Sequence, residues 1–494
     1  MIGGLWKSTS SVALFAAAGL FVGGVAMPSA KAADLGGDCC ADLEERVAEL
    51  EATAARKGNR RVSLTISGQV QTSVMSWDTH GRFGGVDGVA AKDGSITFGA
   101  ITKEVPPGLL GLLDDNDSAV VKEFTAPSKA VPARKAGNAR DVYIVDNVTG
   151  GTFVNFAGNA KVNPSLTAGF VITLAINSGA RSHQVNQLSD DAPDALGASD
   201  STFVMTQGAW YLDHKQIGRL TVGRTNTATA GLTLIDLSGA GVINNSNIGF
   251  WNASFFVNNA ATATGLRTWG DLLGGATVYG SATARANVIM YSSPVLGGFS
   301  VSGAWGENDI WDVALRYAGE MGGFRVAAGI GYAYNFSGTN EVIADIPAND
   351  AISAPSIWKG SASIMHVASG LFGNVAYMVQ SNDQITAGAK DTTLLYLQGG
   401  ISKNWTGLGN TVVFGEWARV TDAIKATAST TLPLDGSSPA ILGANLGDAE
   451  MWGIGIVQNI DAAAMSMFLS YRSYSADFNS SEMGILMAGA RIQF

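Results

Sequence analysis

From Val62 onward the chain alternates. Val62, Leu64, Ile66, Val70 and Val74 share one parity, and Ser63, Thr65, Ser67, Gln69, Gln71 and Ser73 the other. Successive side chains of a strand point to opposite faces, so this segment has one apolar and one polar face. About a dozen residues of it suit a tilted strand crossing ~25 Å of hydrocarbon. The signature recurs to the last residue, where Leu486, Ala488, Ala490, Ile492 and Phe494 form a closing strand. It predicts sixteen strands, near 62–76, 152–162, 166–177, 203–213, 217–224, 286–293, 299–306, 310–318, 324–335, 357–368, 372–380, 392–403, 411–420, 451–459, 465–475 and 483–494.

The connections carry a second pattern. Short turns, among them Asn163-Pro164-Ser165, His214-Lys215-Gln216 and Ser369-Gly370-Leu371, alternate with mostly longer polar loops. A transmembrane barrel has this asymmetry, with short periplasmic turns and long external loops. An even strand count places both ends of the barrel on the periplasmic side. The expected fold is all-β: a 16-stranded antiparallel transmembrane barrel over 61–494, with a long external loop at 78–151, another at 225–285 and a third at 421–450. The loop 225–285 is the natural segment to fold inward and narrow the lumen.

The segment before Val62 reads differently. Lys7, the apolar run Val12 to Val25 and Ala30-Lys31-Ala32 form a secretory signal, with 1–32 removed. In 33–60, Leu43, Val47, Leu50 and Ala54 recur at spacings of four, three and four, the seam of a short coiled coil. Two heptads are marginal alone, so this periplasmic helix needs a partner: the same helix in other subunits, or the barrel rim. A solvated linker helix is the plainer alternative.

Composition narrows the class. The chain has 62 Gly, 12 Pro and 15% charged residues, yet past the signal no apolar run approaches the ~20 residues of a membrane helix. A formal net charge of −10 argues against nucleic acid as partner. Cys39 and Cys40 are adjacent, so no disulfide framework spans the fold. The run Asp114-Asp115-Asn116-Asp117 lacks the spacing and glycine of a calcium loop. No cofactor or metal site is expected.

Parity also assigns the wall of the lumen. Trp311, Val313, Leu315 and Tyr317 belong to lipid, which turns Asp312 and Arg316 inward; Arg219, Arg325, Lys359, Arg472 and Arg491 turn inward likewise. Asp236 and Asp271 lie in the inward-folding loop. Arginines facing loop carboxylates would set a transverse field that orders polar solutes; the plainer reading is pairs that pin the loop to the wall. Trp305, Trp311, Tyr332, Trp358, Trp417 and Trp452 recur near strand ends, as membrane-interface aromatics do.

Three segments, DLEERVAELEATAARKGNRRVSLTISGQV (42–70), WYLDHKQIGRLTVGR (210–224) and WGENDIWDVALRYAGE (305–320), resemble the general porins of rhizobial-type alphaproteobacteria. The resemblance implies a homotrimer of sixteen-stranded outer-membrane barrels passing small hydrophilic solutes and ions, with 225–285 folded into each pore. This chain departs from the family in its long first loop, roughly 79 to 140. Outer-membrane lipid and, through the strand ending at Phe494, the barrel-assembly machinery are the further partners expected. A substrate-selective channel and a barrel anchoring the envelope through its coil are the alternatives. Catalysis is not expected: His80, His183, His214 and His366 fall in loops, a turn and a lipid-facing position. His214 beside Asp213 suggests a turn-stabilising contact.

Overall fold

The computed structural model describes residues 62–79, 140–176, 181–187, 203–255, 257, 268–274, 285–306, 310–334, 356–381, 390–428, 441–477 and 480–494. The signal segment, the coil positions Leu43, Val47, Leu50 and Ala54, both cysteines and the Asp114 to Asp117 run lie outside the described residues.

The strands are β1 (Ser63–Asp78), β2 (Arg140–Val145), β3 (Phe153–Lys161), β4 (Leu166–Ile176), β5 (Phe203–His214) and β6 (Gly218–Asn226). After a long insert come β7 (Arg285–Ser292), β8 (Phe299–Gly306), β9 (Trp311–Met321), β10 (Phe324–Tyr334), β11 (Ser356–His366) and β12 (Leu371–Gln380). The last five are β13 (Thr392–Lys403), β14 (Thr411–Ala428), β15 (Ile441–Ile460), β16 (Met465–Ala476) and β17 (Ser481–Gln493).

All paired neighbours run antiparallel. β2 and β3 share one position, β2 against the second half of β1 (Ser73↔Val145) and β3 against its first half (Ser63↔Asn159). The 17-stranded sheet therefore fills sixteen places. Pairing of β1 with β17, from Gln69↔Gln493 to Asp78↔Gly484, closes the ring and leaves no open edge.

Two loop expectations are corrected. The span 78–151 contains β2, so its last residues are wall. The span 421–450 is largely hairpin, because β14 runs to Ala428 and β15 begins at Ile441, past a register shift between Val420 and Ala423 where Asp422 takes φ 51°. β2 alternates, Val142 and Ile144 outward against Tyr143 and Val145 inward, but is only six residues long, and the added lengths of β14 and β15 lack a clear apolar alternation.

The outer wall is apolar all the way round. Ile66, Ile144, Phe203, Val301, Ile330 and Ile454 are exposed, Ile144 at 70%. Soluble monomers rarely show contiguous apolar patches above a few hundred Å². Toward the long-loop rim, aromatics pack side by side: Trp311 on Tyr332 (5.4 Å), Tyr332 on Trp358 (4.8 Å) and Trp452 on Tyr471 (5.6 Å). Phe299 on Tyr317 (4.7 Å) and Phe324 on His366 (4.8 Å) mark the short-turn rim. There Gly322 (φ 60°) and Gly323 (φ 80°) supply the left-handed pair that a two-residue hairpin needs.

Candidate functional site in the barrel interior

Strand parity puts each predicted wall residue on the inner face, opposite an exposed apolar neighbour. Arg219 precedes outward Leu220, Asp312 and Arg316 flank Val313 and Leu315, and Arg325 follows Phe324. Lys359 follows Trp358, Arg472 pairs across to buried Ile485, and Arg491 precedes outward Ile492. What differs from expectation is their company.

The insert between β6 and β7 folds inward and follows the inner wall. At its start the Asp312 carboxylate accepts from the Ala228 amide (3.0 Å), the Thr229 amide (2.7 Å) and the Thr229 hydroxyl (2.8 Å). Arg316 donates to the carbonyls of Ala228 (2.7 Å) and Ala230 (2.9 Å), and to the Ser302 hydroxyl (3.0 Å). Lys359 is buried beside this pair. Leu232 then crosses Gly329 and Gly331, where a Cβ would stand 2.6 and 2.5 Å from its methyls. Only glycine permits that approach.

Further along, Asp236 accepts from Asn374 (2.7 Å) and from Ser238 of its own turn, and the Leu237 amide donates to Ser363 (3.0 Å). The deepest anchor is a closed network. Arg472 makes a bidentate pair with Glu416 (2.8 and 2.9 Å), donates to the Asn245 carbonyl (3.0 Å) and lies 4.7 Å from the Trp251 ring centroid. Glu416 also accepts from Tyr396 (2.8 Å) and from Asn244, while Tyr474 donates to the Ile248 carbonyl (2.8 Å). Both charges are fully buried, which is tolerable only because each is paired and hydrogen-bonded.

Around this network the insert and the wall form a true hydrophobic core. Trp251, Phe255, Trp269, Leu272 and Leu273 of the insert, the last three in α1 (Trp269–Gly274), pack with Met75, Trp77, Met378, Met451, Met483 and Met487 of the wall. Asp271 lies in the first turn of that helix and exchanges hydrogen bonds with Thr268. His183 is buried beneath the same insert: its carbonyl accepts from the Ser254 amide (3.0 Å) and its ring lies 6.4 Å from Phe250. Burial first, and the neighbouring Arg181 charge in the same sense, push its pKa down to about 3.

The transverse arrangement of arginines facing Asp236 and Asp271 is therefore absent from these residues. Asp271 serves the local structure of the insert, while Asp236 through Asn374, together with Arg316 and Arg472, holds it to the wall. A charge in a filled lumen loses its water and has to be matched by a partner at contact distance. Sequence reading left out Glu416, whose place opposite Arg472 across β14 to β16 is a tertiary fact without a local signal.

The inner face of β5, β6, β9 and β10 at the short-turn rim is different. Arg219 pairs with Asp213 (2.6 Å) and packs over the Tyr211 ring at 4.4 Å; their side chains are 35% and 38% exposed. Arg325 pairs with Glu320 (2.9 Å), at 40% and 43%. Asp213 thus turns to Arg219, while His214 Nδ1 accepts from the Gln216 and Ile217 amides (3.3 Å each) and closes the turn. At the same rim on the other side, Met365, Phe372, Val412, Val457 and Phe468 are buried.

No family model matches the sequence, and no curated protein matches it. Solved structures similar to the chain include bacterial porins. An anion-selective porin from Comamonas acidovorans aligns over 88% of this chain and 100% of its own, at 14% identity and TM-score 0.45. OprB of Pseudomonas putida aligns over 94% and 99%, at 10% identity and TM-score 0.47. A Rh. blastica porin variant aligns over 87% and 100%, at 12% identity and TM-score 0.40.

Proposed function

We propose that the protein is an outer-membrane porin, a water-filled channel through which small hydrophilic solutes and ions diffuse passively. The observation that carries this reading is the combination of a closed sixteen-place sheet, an apolar outer wall bounded by aromatics at both rims, and ion pairs on the inner face, buried at Arg472–Glu416 and exposed at Arg219–Asp213 and Arg325–Glu320. Sixteen strands are enough to leave an aqueous path, and a wall of this kind is stable only against hydrocarbon. The short turns then face the periplasm and the long loops the exterior.

The finer parts of the reading rest on sequence. The three resembling segments support kinship with the rhizobial-type general porins, the seam at Leu43, Val47, Leu50 and Ala54 supports a homotrimer with a periplasmic coil, and the strand ending at Phe494 supports recognition by the assembly machinery. Residues 1–32 are read as signal, 33–60 as periplasmic segment and 61–494 as barrel. The path is read as a channel without catalysis, since His183 is buried, His214 closes a turn and His366 stacks outside on Phe324.

Purified protein in planar bilayers tests the proposal. Stepwise ohmic conductance, arriving in threes for a trimer, is the expected result. Conductance no greater than that of the bare bilayer would overturn it.

A further inference from the structure

The inner wall at the periplasmic mouth carries six ionisable side chains among the described residues: Lys161, Asp213, Arg219, Glu320, Arg325 and Arg491. All have inward parity and sit within a few residues of a periplasmic turn or of the chain end. Four are cations and two are carboxylates. The carboxylates are engaged by Arg219 and Arg325 across neighbouring strands. Lys161, at the end of β3, is exposed and makes no ion pair among the described residues. Arg491 on β17 is half-buried, and its Nε has no hydrogen-bond partner.

The two ion pairs lie at the short-turn rim, and Glu320 and Arg325 sit four residues beyond Arg316 and Gly329, where the insert meets β9 and β10. Across from them, the inner faces of β11, β12 and β14–β16 are buried down to the same rim. A solute leaving the pore on the periplasmic side passes this rim, within reach of both exposed pairs. Each pair is about two-fifths exposed, so its field reaches water and is screened by salt.

We propose that this mouth ring sets the ion selectivity of the pore, biasing it toward small anions through the two unmatched cations, with Asp213 and Glu320 holding that bias down. The proposal rests on the porin reading and assigns selectivity to the mouth, away from the buried Arg472 and Arg316 networks. Arg472 is neutralised by Glu416 and Arg316 by neighbouring Asp312 and three hydrogen-bond acceptors, so the two arginines contribute little net field to the mouth, and Lys359 beside Asp312 is buried.

Reversal potentials of the full-length protein in a KCl gradient across a planar bilayer test it. Wild type should prefer chloride. Asp213→Asn with Glu320→Gln should raise the chloride-to-potassium permeability ratio about two- to fivefold, the size expected of water-exposed charges. Lys161→Gln with Arg491→Gln should abolish the preference. Lys403→Gln, an exposed cation of opposite parity on the same rim, should leave it unchanged. All effects should shrink in concentrated salt. Reversal potentials unmoved by both double variants, or moved in the opposite sense, overturn the assignment while leaving the porin reading intact. A wild type that does not conduct would instead overturn the porin reading itself.

Discussion

Two halves of one barrel wall have been put to opposite uses. The inner face of β11–β17 with β1 and β2 carries Met75, Trp77, Met378, Met451, Tyr474, Met483 and Met487, all buried under the insert. The inner face of β3–β10 carries small and polar side chains, such as Asn155, Thr173, Gln207, Thr221 and Ser302, that are buried, a small apolar cluster of Val288, Ala304 and Ala314 with Ala228 and Leu232 of the insert, and, at the short-turn rim, the two exposed ion pairs. The outer faces of the two halves are alike. Hydrocarbon makes the same demand on every strand, whereas the lumen makes a different one on each side: a large apolar core to hold a loop in place, and a small-residue, polar lining that meets water at the ion pairs of the short-turn rim.

The most severe way to break this asymmetry is at Arg472. Arg472→Ala strands the Glu416 carboxylate in a dry interior and should cost about 3–5 kcal/mol, read as loss of heat-resistant migration in detergent. Arg472→Met with Glu416→Leu should recover much of that stability, because no charge is left unmatched.

Next comes the glycine pass beneath Leu232. Gly331→Leu drives a side chain into Leu232 and should cost about 1–3 kcal/mol while displacing the start of the insert. A larger and noisier single-channel conductance is the expected signature; an unchanged one would mean that the insert does not border the path. Asp312→Ala removes the acceptor for two insert amides and a hydroxyl and should cost about 1–3 kcal/mol, with the same conductance signature.

His183 gives a smaller effect with a definite sign. Its pKa is lowered on folding, so the unfolded chain binds the proton more readily and stability falls as pH drops below the ordinary histidine value of 6.5, down to about 3. The loss should be about 1 kcal/mol per pH unit. Hydrogen exchange of the 248–255 segment at pH 5.5 and 7.5 measures it, and His183→Asn should flatten the dependence. Smallest of all, Arg219→Gln should change stability by less than about 1 kcal/mol, because the pair is wet.

The strands and their facing were legible because hydrocarbon imposes a strict two-residue period on one face: parity alone turned Arg316 and Lys359 inward and Trp311 and Trp358 outward. β2 escaped because Arg140–Val145 is six residues long and the sheet position it shares with β3 is interrupted after it. The packed half of the lumen escaped for a different reason. Tyr396, Phe468 and Tyr474 have inward parity, but on their own they form no series. Only the sheet brings them beside inward Met378, Met451 and Met487, and only the insert explains why apolar side chains face inward at all. Glu416 reads as one charge in a strand until Arg472 is seen two strands away.

Thiol accessibility during conduction tests this two-sided lumen most directly. In a background with Cys39→Ser and Cys40→Ser, cysteine is placed at Ala318 on the β9 side and, separately, at Ala418 on the β14 side, both inward and small. A water-soluble methanethiosulfonate should reduce single-channel current through Ala318→Cys and leave Ala418→Cys untouched. Equal block at both positions would contradict the account, because the lumen would then be open on the side where a core has been described.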